Sequence, residues 1–308
     1  MASKVQVQKK ATLTGHRDSV YTLERSADEA VFYSAGGDGM IAAWNLHDPE
    51  NGELIARVTT SVYALRHIPE RNLLLIGQNT EGIQVIDLAD KKVLKSIPLP
   101  KVAIFDIAYA PETGWVYVGL GNGAIAVLSA ETFELQTLIR ESDQSVRSLA
   151  FNPQTLELAA GYSDHTVRIF DAATHELKYK LHTHTNSVFT LAYSPDASLL
   201  LTSGRDAHLR VWEVKQKYKE MGYTIAHMYT VNHLTYSPDG LYFATCSMDK
   251  SIKVWDAKTF KLLKVIDKVR HAGHGTSVNK LFWSAHQNQL VSCSDDRTIS
   301  VWDINFEL

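Results

Sequence analysis

Apolar residues recur in fixed columns along this chain. From Trp212, steps of 42 residues backward reach Phe170, Leu128, Ile86 and Trp44, and forward steps of 43 and then 47 reach Trp255 and Trp302. Around these seven anchors, the positions one, three, 21 and 24 before the anchor are apolar in every copy. In the fifth copy they are Val211, Leu209, Leu191 and Val188. The columns are rich in β-branched residues and are separated by turn signals such as Ser194-Pro195-Asp196-Ala197 and Ser237-Pro238-Asp239-Gly240, where Pro supplies the φ of a second turn position. Each copy therefore predicts four short strands and no helix. Four strands in a unit of about 40–45 residues is the pattern of a β-propeller blade.

Polar columns follow the same register. Six before the anchor stand Asp38, Thr80, Asn122, Asp164, Asp206, Asp249 and Asp296. Ten before it stand Ser34, Thr202, Thr245 and Ser292 in copies one, five, six and seven, and 28 before it the same copies carry His16, His184, His227 and His274. With Trp44, Trp212, Trp255 and Trp302 these make four complete sets. Copies two and three have none of the four groups, and copy four keeps only Asp164. Groups present or absent together are expected to form one buried hydrogen-bonded unit, since a partly satisfied network is costly. A Ser-His-Asp catalytic site is the rival reading, but a catalyst needs one such site, not four.

The stretches "LTGHRDSVYTL", "LHTHTNSVFTLAYSPD", "SMDKSIKVWD" and "SDDRTISVWD" resemble the WD-repeat β-propeller family, over roughly residues 5–304. The resemblance implies an all-β, seven-bladed propeller of four antiparallel strands per blade, a single domain over 1–308. It also implies that the His, Ser/Thr, Asp and Trp columns are structural tetrads. The last copy lacks a fourth strand, whereas Val5–Leu13 is strand-like without partners of its own. The N-terminal strand is expected to complete the last blade and close the ring, which removes open sheet edges.

One column breaks the rule of its neighbours. Twenty-three before the anchor stand Tyr21, Tyr63, Phe105, Arg147, Phe189, Asn232 and Asn279. One before the Asp position stand Gly37, Asn79, Gly121, Ser163, Arg205, Met248 and Asp295. Members of the resembled family bind peptides through these two columns, on the face taken as the top. Tyr21, Tyr63, Phe105, Arg147, Phe189, Arg205, Asn232, Asn279 and Asp295 are therefore the candidate partner-binding residues. Aromatic residues and Arg are typical interface anchors, although aromatic residues at a propeller mouth can also simply fill space. The longest step between anchors leaves an enlarged loop, Asp267–Thr276, which suits a functional insertion and a tolerated one equally.

Composition narrows the remaining choices. The chain has 308 residues, 45% of them hydrophobic, and a net charge of −3, which gives no electrostatic case for nucleic acid or a membrane surface. Two cysteines, Cys246 and Cys293, suggest no disulfide framework. Met1–Lys10 has no apolar core of the signal-peptide kind, and a cytoplasmic protein is expected. "HTHT" and "HAGH" (His182, His184, His271, His274) invite a metal, but no carboxylate or Cys cluster completes a site. Gly119–Ile125, "GLGNGAI", opens a strand and reads as a turn rather than a phosphate cradle. The expected function is a non-catalytic scaffold or adaptor without cofactor or metal. It would bind a peptide or protein partner on its top face, as a monomer or a subunit of a larger complex. The competing class, an enzyme or small-ligand binder with a site at the channel mouth, would need convergent carboxylates, His or metal ligands. The mouth column has none.

Overall fold

The computed structural model describes residues 4–182 and 184–307. Its strands form seven four-stranded sheets, each built from chain neighbours except the last. The chain is a seven-bladed β-propeller with four antiparallel strands per blade. The first strands of blades one to seven are Val20–Arg25, Val62–Ile68, Ile104–Ala110, Val146–Asn152, Val188–Tyr193, Val231–Tyr236 and Val278–Trp283. The anchors lie on the third strands, from Met40–Asn45 in blade one to Ile299–Glu307 in blade seven.

Burial follows position in the blade. Second strands are sealed on both faces: every residue of Glu157–Tyr162 and of Gln289–Ser294 is buried. Outer strands such as Leu135–Arg140 are mostly exposed. This explains why the inner strands read as nearly continuous apolar runs and the outer ones do not.

The chain forms two compact units. One comprises Tyr63–Val231 and the other Met1–Val62 with Asn232–Leu308. In the first, blades two to five pack face to face. Ala108, Tyr117 and Val127 of blade three meet Leu149, Leu158 and Phe170 of blade four, whose Ile169 and Val167 in turn meet Leu191 and Trp212 of blade five. In the second, Trp283, Leu290 and Trp302 of blade seven share a core with Ala244 and Val254 of blade six, and Val301 and Cys293 share one with Phe32 and Trp44 of blade one.

Blade seven takes its fourth strand from the start of the chain. Lys4–Leu13 pairs antiparallel with Ile299–Glu307, from Lys4 opposite Glu307 to Leu13 opposite Ile299. Its register slips between Lys9 and Ala11, beside the anchor Trp302. The outer strands of blades four, five and six slip at the same place, beside Phe170, Trp212 and Trp255. Lys4–Leu13 thus repeats the outer-strand geometry of the other blades in detail.

The one α-helix among the described residues departs from the expectation of none. Lys268–His271 lies in the enlarged loop, and Asp267 caps it by accepting a hydrogen bond from the Arg270 N–H at 2.8 Å. A single turn is too short to leave a periodic signal in the sequence.

Candidate functional site

The polar sets of blades one, five and seven share one geometry. In blade five the Trp212 indole N–H donates to Thr202 Oγ1 (2.9 Å), which lies 2.8 Å from His184 Nε2. His184 Nδ1 lies 2.9 Å from Asp206. Blade one repeats this with Trp44, Ser34, His16 and Asp38, and blade seven with Trp302, Ser292, His274 and Asp296. The carboxylate can only accept, so the ring proton sits on Nδ1, facing it, and Nε2 takes the proton of the hydroxyl that accepts from Trp. In blade six Trp255 donates to Thr245 at 2.9 Å and Ser251 to Asp249 at 2.6 Å. The bond pattern resembles a hydrolytic triad, but Ser34, Thr202 and Ser292 are wholly buried and already accept the indole N–H. A substrate carbonyl has no approach to these hydroxyls.

The Asp also fixes backbone. Asp206 accepts from the N–H of Thr185, just after the His, and from that of His208 in its own turn. Ala207 between them has φ 61°, in the left-handed region. Burial opposes the charge on Asp206, but His184 and these N–H groups overcome it and hold the carboxyl down at about 2. Asp296 and Asp38 are also held below the usual range. A lowered folded-state pKa gives stability that is present above the unfolded value, about 3.9, and lost as pH falls through the folded one. The melting temperature should therefore fall steeply between about pH 4 and pH 2, and less steeply in Asp206→Asn. Parallel acid profiles for the two proteins, measured by calorimetry, would exclude this account.

Blade four solves the same problem with other residues. Ser142 stands where the His would be and donates to Asp164 at 2.8 Å. Arg168, two residues before the anchor, donates to Asp164 Oδ2 at 2.8 Å and stacks on Tyr162 at 4.2 Å. Sequence reasoning saw only Asp164 there. The available signal was a basic residue in a buried strand that also carries Val167 and Ile169.

The irregular column has a structural cause. In the five blades whose first pairing is described, the register slips across one residue: Tyr21, Phe105, Arg147, Phe189 or Asn279. Each is the extra residue of a β-bulge, which re-aims its side chain out of the alternation that packs the sheet. Gly36 and Gly204 sit opposite two of these kinks, where a Cβ would clash with the Ser19 or Ser187 carbonyl oxygen. The second column lies at the same end: the N–H groups of Gly37, Gly121, Ser163, Arg205 and Asp295 donate to carbonyls of Ser19, Ala103, Ser145, Ser187 and Ser277, two residues before the bulge.

The column residues make different contacts in the two units. In Tyr63–Val231, Tyr63 stacks on Phe105 with ring centres 5.8 Å apart, and the Arg147 guanidinium lies 3.8 Å from the Phe105 ring centre and 4.4 Å from that of Phe189. Arg147 comes from blade four and its aromatic neighbours from blades three and five. Burial pulls Arg147 down to about 10, partly offset by Tyr63. Arg205 is exposed. In the other unit, Asn279 donates to the Val20 carbonyl and to Asp295, and Asn232 donates to Ser277 and the Val278 carbonyl. These amides tie neighbouring blades together. Tyr21 is half-buried.

Among the described residues no group of three or more His, Cys, Asp or Glu is arranged to hold a metal ion, and no helix is long and apolar enough to cross a membrane. Cys246 and Cys293 are buried free thiols, and burial raises Cys293 to about 12.

Among curated proteins, none matches the chain. A family model described as WD domain, G-beta repeat matches residues 7–45, 133–171, 175–213, 219–256 and 264–303. These segments end at or just beyond Trp44, Phe170, Trp212, Trp255 and Trp302 and together cover more than half of the chain, leaving out the two copies that lack all four tetrad groups. The chain belongs to the WD40 family.

Proposed function

We propose that this propeller is a non-catalytic interaction scaffold that holds a peptide segment or protein partner at the end bearing the bulge column. WD40 propellers generally serve protein–protein interaction. The observation that carries the reading is the strip Tyr63, Phe105, Arg147 and Phe189. Four side chains of the interface-anchor type are gathered on successive blades, three of them (Phe105, Arg147 and Phe189) turned out of the sheet packing by a backbone bulge. In the other unit, Tyr21, Asn232, Asn279 and Asp295 occupy the corresponding columns. The protein works in the cytoplasm, a location that suits two unpaired thiols, and needs neither nucleic acid nor a membrane.

The test is comparative capture from an extract of the native organism by the immobilised wild type, Phe189→Ala and Tyr63→Ala. A partner lost by roughly thirtyfold in both variants, with melting temperatures within about 2 °C of wild type, is the expected outcome. Equal retention of every captured protein by all three overturns the reading.

A further inference from the structure

Arg147 differs from the other buried or half-buried arginines of its unit. Arg66 donates to the Ile107 carbonyl, Arg168 to Asp164, and Arg210 to Glu220. Among the described residues, none accepts a hydrogen bond from the Arg147 guanidinium, whose contacts are the two phenyl rings. Its nitrogens are nevertheless not sealed from solvent. The groups whose charge bears on it are the Tyr63 phenol and a second cation, Arg205. The site is a guanidinium set between two aromatic rings, with no acceptor for its donors among the described residues. A half-buried guanidinium is only partly hydrated, and an anion supplies the acceptors and the counter-charge that water there supplies incompletely.

We propose that Arg147, assisted by Arg205, is the anchor for the carboxylate of an Asp or Glu side chain on an extended segment of the partner, with Tyr63, Phe105 and Phe189 flanking it. This rests on the protein-binding reading above. An edge of a guanidinium offers two parallel N–H groups, the fork that two carboxylate oxygens meet. A phosphate dianion is held by several cations or backbone N–H groups together, and here one stacked guanidinium has a single exposed cationic neighbour. The rings also hold the Arg147 side chain in place before binding, so little freedom remains to be lost when the anion arrives.

The test uses pools of short fluorescent peptides whose central residue is fixed as Asp, Glu, Asn, Gln, phosphoserine or Lys, with randomised flanks. They are titrated by anisotropy against the intact protein, Arg147→Met and Arg205→Gln. Met keeps an unbranched apolar chain between the rings, and the melting temperature is measured alongside. The Asp and Glu pools should bind about tenfold more tightly than the Asn and Gln pools. That preference should vanish in Arg147→Met and shrink in Arg205→Gln. Failure of every pool to bind the folded protein, equal binding of acidic and amide pools, a preference for phosphoserine or Lys, or an acidic preference that survives in Arg147→Met each overturns the proposal. Should the captured partner still be lost with Phe189→Ala while no acidic preference exists, the interaction reading stands and the carboxylate anchor falls.

Discussion

A chain lacking residues 1–13 should melt about 5–10 °C below the intact protein. Val5 and Leu13 are buried, and Lys9 lies 5.5 Å from the centre of the Trp302 ring. Their loss, with the ladder from Lys4–Glu307 to Leu13–Ile299, removes on the order of 5 kcal/mol of burial and pairing. At about 1.5 °C per kcal/mol, the figure that the usual unfolding entropy per residue gives for 308 residues, that yields the shift above. The deletion also leaves Ile299–Glu307 as an unpaired edge beside apolar Ile304, an invitation to aggregation. A synthetic peptide of residues 4–13 added in trans should restore much of the loss and suppress light scattering. An unchanged melting temperature on deletion would show that blade seven does not depend on its borrowed strand.

Much of this was readable from the residues because the signals were repeated. A single Val at the start of a strand says little, but the same apolar column in seven copies sets a register, and the register assigns the orphan segment Val5–Leu13 to the copy that ends early. The tetrads were readable for the same reason: four types of side chain come and go together.

What escaped the sequence has a common cause. The bulge at Arg147 is a backbone event, a slip of one residue between Val146 opposite Tyr162 and Ser148 opposite Gly161. No residue type announces it, since Tyr, Phe, Arg and Asn all occupy the slot. The column could be seen to be irregular, but only the pairing shows why. Arg168 was missed because a substitute network need not keep the original residue types. It needs only a donor within reach of Asp164, and two positions before the anchor supplied one in place of a His loop. The helix at Lys268–His271 is set by one capping carboxylate, Asp267, rather than by any periodicity.

The substitute network should prove the most sensitive polar site in the four-blade unit. Replacing Asp164 by Ala leaves the guanidinium of Arg168, only 2% exposed, facing Tyr162 without its carboxylate. Breaking one half of such a pair costs about 3–5 kcal/mol, against about 1–3 kcal/mol for Asp206→Ala, where His184 and the N–H groups of Thr185 and His208 lose an acceptor and no guanidinium is stranded. The order is notable because the family pattern would rank them the other way, with the complete tetrad of blade five above the incomplete one of blade four. Adding Arg168→Met to Asp164→Ala should recover most of the loss, since the charge that needed a partner is gone while the apolar stem still covers Tyr162. Denaturant unfolding of the two single variants and the double variant forms the cycle. If Asp164→Ala costs less than Asp206→Ala, or the double variant is no better than Asp164→Ala alone, the bond to Arg168 does not do the work of the missing His.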